Sequence, residues 1–277
     1  MVNHYVDRDA VRSAQSIPAS STGENALLDA ALEGVSRLID QHVGYPLYAH
    51  VATKYFTARH SDRLDLDTPL QSITALRTDA GGNASYEATW STGDYWLTGA
   101  GKNFNYAHES PPQPVWEIHR RQSGSNSFPA GVERGVEIDA TWGRFNQTQG
   151  TTATVATAWA TGTTDLPVNG ATALHAGYTL RVGAEQLFVN NVGTASNIFV
   201  ERGVNGTSGA AHASAAAISR YTYPVAESAA RFQVMMDRRS GEQTGFPGES
   251  GESRLAPGGL HPYVRRMLDP LRKPVAG

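Results

Sequence analysis

The feature that most constrains this chain is the spacing of its apolar residues, which is helical up to residue 46, changes to every second residue from Ala52, and becomes helical again after Pro224. In "SSTGENALLDAALEGVSRLIDQHVGYP", Leu27, Leu28, Ala31, Leu32, Val35, Leu38 and Ile39 fall on one helical stripe. Ser21 and Glu24 have the spacing of a capping box, and Gly44 and Pro46 stop the pattern, so a helix is expected over residues 24–42. A shorter helix over residues 7–15 has only Val11 and Ala14 to bury and is expected to lean on the longer one as a helical hairpin.

In "KYFTARHSDRLDLDTPLQSITALRTDAGG", Leu64/Leu66 alternate with Asp65/Asp67, and Ile73 and Ala75 lie between a turn at Pro69 and a turn at "AGG". These are read as strands. Further short strands are expected around 95–97, 115–119 and 136–142, with residues 101–114 as an exposed loop. From Thr151 to Tyr221 the composition shifts to Thr, Gly and Ala, and "DLPV", "TLRV", "EQLFV" and "NIFV" give only strand signals, so a separate β-module is expected. "PVAESAARFQVMMDRRSG" then reads as a helix stopped by Gly241, and "HPYVRRMLDPL" as a last short one after a polar loop. The expected fold is α+β: a helical core with a β-hairpin or small sheet formed by residues 1–146 and 221–277, plus an all-β module inserted at 147–220.

Composition narrows the chemistry. With 40% hydrophobic and 18% charged residues the chain can build an ordinary packed core, and the absence of cysteine excludes disulfides, thiolate zinc sites and cysteine nucleophiles. A net charge of −3 argues against a dedicated nucleic-acid binder, which carries a basic excess. No apolar run reaches the roughly 18 residues of a membrane span, and "MVNHYVDRDAV" lacks the pattern of a signal peptide, so no membrane role is expected and the protein is placed in the cytoplasm.

No catalytic constellation emerges. Asp65 and Asp67, with Asp62 nearby, lie two apart on a strand and so share a face opposite Leu64 and Leu66, which reads as a solvated face rather than an acid pair. His175 and His212 belong to no metal-ligand spacing, and no G-x-S-x-G elbow occurs. Trp90, Tyr95, Trp96, Trp116 and Trp142 are read as core or interface in preference to a sugar platform. The stretch "FVERGVNGTSGAAHASAAAISRYTYP" has G-x-x-G-x-x-G spacing and no following lysine, unlike a phosphate loop, so its glycines are assigned to backbone geometry, with Asn205 suited to the same φ > 0 region. No enzyme, cofactor or metal is expected. Two basic groups remain: Arg231, Arg238 and Arg239 near the end of one helix, and Arg265, Arg266, Arg272 and Lys273 at the C-terminus. They suit helix C-terminal dipoles, or docking to an acidic partner or to nucleic acid.

The order "LIDQHVGYPLYA", "KYFTARHSDRLDLDTPLQSITALRTDAGG", "GDYWLTG", "GVEIDATWGRF", "YPVAESAARFQVMMDRRSG" and "VRRMLDPLRKP" resembles the head-tail connector family of tailed bacteriophages, over about residues 5–145 and 221–274. The resemblance implies a structural protein of the virion neck: a homo-oligomeric ring, commonly of twelve copies, below the portal protein, bridging the DNA-filled head to a stopper or tail-completion protein. DNA would pass through it without sequence-specific binding. It also implies that the chain end reaches the portal, which marks Tyr263, Val264, Arg265, Arg266, Met267, Leu268, Leu271, Arg272 and Lys273 as portal-docking residues and Arg231, Arg238 and Arg239 as interface or channel-facing. On this view residues 261–277 are mobile before assembly and dispensable for folding. The module around "RGVNGT" resembles a small β-module of phage virion proteins, expected to be removable without loss of the core. The competing reading is a receptor- or carbohydrate-binding β-rich tail protein.

Overall fold

The computed structural model describes residues 3–18, 22–98, 114–194, 196–243 and 259–273. The chain divides into two compact units, one of residues 48–144 and 273–277 and the other of residues 1–47 and 145–272.

The first unit is an antiparallel sheet of β1 (His50–Phe56), β2 (Arg63–Thr78), β3 (Ala88–Thr89), β4 (Tyr95–Thr98), β5 (Val115–Arg120) and β6 (Val136–Trp142). Its order is β1-β6-β2-β5-β4, with β3 also on β2. Period-two patterning puts Leu64, Leu66, Leu76, Ile118, Ile138 and Trp142 in one core, while Asp65 and Asp67 stand in solvent on the opposite face. Pro69 does not turn the chain as expected. The strand continues through it as a single 16-residue element, because register shifts fall beside it in the pairings with both β5 and β6 and the missing N–H is not asked for. The Pro69 carbonyl accepts from Gly143 N at 2.8 Å.

The second unit holds the helices and a closed barrel. Helix α1 (Arg8–Ala14) is capped by Asp7, whose side chain accepts from Ala10 N at 2.8 Å. Helix α2 (Asn25–Val43) buries Leu28, Leu32, Val35, Ile39 and Val43 and ends at Gly44, with φ of 95°. The expected capping box is not made: a 3₁₀ turn over Thr22–Glu24 leads straight into the helix, Glu24 makes no capping bond, and Ser21 lies outside the described residues. Helix α3 (Pro224–Gln243) runs through Gly241, which was expected to stop it, since an isolated glycine costs a helix only about 1 kcal/mol. Helix α4 (Pro262–Leu268) follows.

Six antiparallel strands close the barrel: β7 (Thr148–Val155), β8 (Asp165–Asn169), β9 (Thr179–Val182), β10 (Glu185–Thr194), β11 (Asn197–Arg202) and β12 (Ala217–Tyr221), in the cyclic order β10-β11-β8-β7-β12-β9. Its interior is filled by Val155, Leu166, Val168, Leu180, Val182, Leu187, Val189, Ile198, Val200 and Ile218, as small barrels are.

The expectation of a helical connector core with a small sheet is overturned. The protein is mostly β, 36% strand against 26% helix, in two six-stranded antiparallel sheets. The physical reason is that α1 and α4 are seven residues each and bury little alone, whereas each short strand buries every second side chain against its neighbours.

Residues 3–8 also depart from expectation. They precede any long element, yet Asn3, His4, Tyr5, Val6, Asp7 and Arg8 are all buried. Tyr5 N donates to Ser36 Oγ at 3.2 Å and Arg37 Nη2 to the Asn3 carbonyl at 3.0 Å on the α2 side. On the barrel side Thr179 Oγ1 donates to Asn3 Oδ1 at 2.5 Å, Arg8 N to the Ala176 carbonyl at 3.2 Å, and His4 meets Phe188 edge-on at 5.0 Å. This strap binds the barrel to α2 by contacts that the sequence does not announce.

Candidate docking surface

The glycine-rich stretch does cradle an anion, and the anion is its own. Glu185, at the start of β10 with a fully buried side chain, accepts from Arg202 Nε at 2.9 Å and Nη2 at 2.7 Å, Gly203 N at 3.2 Å, Ala210 N at 3.0 Å and His212 Nε2 at 2.7 Å. Burial pushes this carboxyl upward, but the Arg202 guanidinium, the Ala210 N–H and His212 outweigh it and hold it at about 2. Arg202 lies over the Trp159 ring at 3.7 Å, and His212 stacks on that ring at 5.8 Å. Gly203 and Asn205 take φ of 59° and 56°, which bends the loop around the carboxylate. With every converging donor engaged by Glu185, the loop is a structural clamp.

The remaining candidates separate. His175 pairs with Asp9 at 2.7 Å. Of the five aromatic candidates, Trp90, Tyr95, Trp116 and Trp142 are buried and only Trp96 is exposed, its face covered by Arg121 at 3.5 Å, so they make no sugar platform. Among the described residues no group of three or more His, Asp or Glu side chains is arranged to hold a metal ion, and no helix is long and apolar enough to cross a membrane.

The basic groups give the surface of interest. Helices α1, α3 and α4 enclose an open groove of about 400 Å³ lined by Ala14, Ser228, Arg231, Phe232, Met235, Tyr263 and Met267. It brings Arg231 from one sequence-derived set together with Tyr263 and Met267 from the other. Gln233 fixes α4 on α3 by accepting from His261 N at 2.7 Å, and the Phe232 and Tyr263 rings lie 5.0 Å apart along the wall. Tyr263 is 54% exposed. Arg231 and Arg266 are exposed and make no ion pair or hydrogen bond among the described residues, and Arg266, three residues after Tyr263, shares its side of α4.

Of the segment 261–277 that was expected to be mobile, residues 261–272 are packed into this unit, and residues 274–277 lie outside the described residues. Val264, Leu268 and Leu271 are already buried within this unit, and Tyr45 donates from its hydroxyl to the Leu271 carbonyl, so these three side chains are committed to the fold. Tyr263, Arg265, Arg266 and Arg272 remain outward, although Arg265 Nε also donates to the Leu260 carbonyl at 2.9 Å. Lys273 donates to the Leu66 carbonyl at 2.7 Å within the sheet unit. Arg238 and Arg239 fall on the last turns of α3, and their side chains lie outside the described residues. The spacing of Val264, Leu268 and Leu271 at i, i+4 and i+7 was the available signal that this face is core; nothing in the sequence pointed to Ala14 or Ser228. Compared with known protein families, curated proteins and solved structures, the chain matches none of them.

Proposed function

We propose that the protein is a structural component of a tailed-bacteriophage neck, a connector that assembles as a ring beneath the portal and joins the head to the stopper or tail. The observation that carries this reading is the groove on α1, α3 and α4, where Phe232, Met235 and Met267 lie with Arg231, a cation that has no ion pair among the described residues. Aromatic and methionine side chains with arginine at the edge are what protein–protein interfaces concentrate. Catalysis is not part of the proposal, and the best-organised charge cluster, around Glu185, is consumed in holding the barrel together.

Arg265, Arg266 and Arg272, outward residues of the C-terminal segment that do not line the groove, are the proposed contacts with the portal, as a preformed surface that does not carry the ordering entropy of a mobile tail. The test is to mix the purified protein with portal rings of the parent phage and image the mixture by negative stain. Portals capped on one end by an added ring are expected. Bare portals at saturating protein would overturn the reading.

A further inference from the structure

We infer that the occupant of the α1–α3–α4 groove is a second copy of this chain, entering with the ridge Leu27, Ala30 and Glu33 of its helix α2. This rests on the ring reading above and names the surfaces that would build the ring. The three ridge residues follow one i, i+3 row, the kind of ridge that seats in the groove of a facing helix pair. They lie away from the face that buries Leu28, Leu32, Val35 and Ile39.

Leu27 is 43% exposed, one of the few large apolar side chains left in solvent. Ala30 beside it is exposed and small enough to allow close approach. Glu33 ends the row with a carboxylate that has no ion pair among the described residues. The groove carries the opposite charge, Arg231, in a lining that includes Phe232, Met235 and Met267. Charge therefore selects the ridge as its counterpart and disfavours ridge on ridge or groove on groove, where like charges would meet. Ridge and groove are different surfaces of one molecule, so the contact is heterologous and repeats head to tail until it closes.

The chain has no cysteine, so introduced thiols are the only ones present. In a variant with Leu27→Cys and Met235→Cys together, treatment with a short bis-maleimide at high protein concentration should give a ladder of covalent dimers, trimers and higher species on a denaturing gel. Each single variant should stay monomeric under the same treatment. No ladder in the double variant, or a covalent dimer in the Leu27→Cys variant alone, would overturn the proposal. Charge exchange gives a second reading: Glu33→Arg or Arg231→Glu alone should weaken self-association at least tenfold by light scattering, and the two together should restore it. Singles that associate as wild type, or a double variant that stays apart, would count equally against it. Portals that acquire a ring without a cross-linked ladder would leave the connector reading standing and remove this one; a ladder with bare portals would do the reverse.

Discussion

Two carboxylates are withdrawn from water in the unit that holds the barrel, and they titrate in opposite directions. Glu185 meets five donors, two from one guanidinium and two from backbone N–H groups, and is held at about 2. Asp40 on α2 has a side chain 13% exposed and accepts from Arg37 Nη2 at 3.1 Å, from Leu47 N at 3.2 Å and from the Tyr5 hydroxyl. Here burial prevails over Arg37, Tyr5 and Leu47, and the carboxyl is pushed up to about 6. At both sites burial raises the carboxyl, and the donors set against it number five at Glu185 and three at Asp40. The barrel site is built to hold a charge, whereas the strap junction tolerates one at a cost.

The largest effect is expected from removing the charge that the barrel holds. Glu185→Gln leaves the Arg202 guanidinium, 9% exposed, without its counterion, and breaking one side of such a buried pair costs about 3–5 kcal/mol. The stability of the barrel, followed in urea by Trp159 fluorescence in a background with the other four tryptophans replaced by phenylalanine, should move down by that amount. A loss below about 1 kcal/mol would show that the clamp is incidental. In the wild-type barrel, Glu185 contributes stability fully present above its unfolded value of 4.5 and lost as the pH falls from there toward 2. The span corresponds to about 3 kcal/mol.

At the strap the expected pH dependence is a near cancellation. Asp40 binds its proton more tightly when folded, so its penalty is full above about 6 and is relieved as the pH falls toward the unfolded value of 3.8. His4 does the opposite: burial, then Arg37 and Arg8, hold its pKa down at about 4, so stability is lost as the pH falls from 6.5 to 4. Each term is about 3 kcal/mol and they offset each other between pH 6 and 4. Separating them sharpens the contrast with Glu185. On acidification from pH 7 to 4, Asp40→Asn should lose more stability than the wild type and His4→Gln less, in denaturant titrations. Two variants with the same slope would mean that the strap is not where these protons are exchanged.

The same two sites mark what the sequence made legible. Periodicity exposed α2 and the strands β2, β5, β6 and β8 to β11, because each needs only its own residues to bury one face. It did not expose β7, where Ala153 and Val155 are the inward side chains of an otherwise Thr- and Gly-rich strand. It misread Pro69, since the register shifts that excuse a proline in a central strand belong to the partners β5 and β6. The helical stripes were mistaken for the main core because a stripe declares its buried face, whereas the two sheets acquire theirs only when strands far apart in the chain are paired. Glu185 and Arg202 are 17 residues apart with no spacing rule to connect them, and the strap's partners lie up to 220 residues away. The groove was half legible: its cations and Tyr263 stood out, but their meeting depends on α3 and α4 packing side by side.

The smallest effects are expected within the clamp loop itself, where two glycines that look alike in the G-x-x-G-x-x-G spacing should behave differently. Gly203 has φ of 59°, and a Cβ there would lie 2.8 Å from the Thr207 carbonyl oxygen, so Gly203→Ala meets both backbone strain and a backbone atom that has little room to retreat. A non-glycine residue forced into this region costs about 1–3 kcal/mol. Gly209 is not among the residues of positive φ, and its Cβ would meet Glu185 Oε1 at 3.5 Å and Arg202 Nε at 3.8 Å, ordinary contacts. Gly209→Ala should therefore be neutral or slightly stabilising, by up to about 1 kcal/mol, because alanine restricts the unfolded chain. Urea titration of the two variants side by side measures the difference. Equal losses would mean that the loop is held by its overall shape; the expected asymmetry would locate the constraint at Gly203, one of the two residues whose N–H reaches the carboxylate.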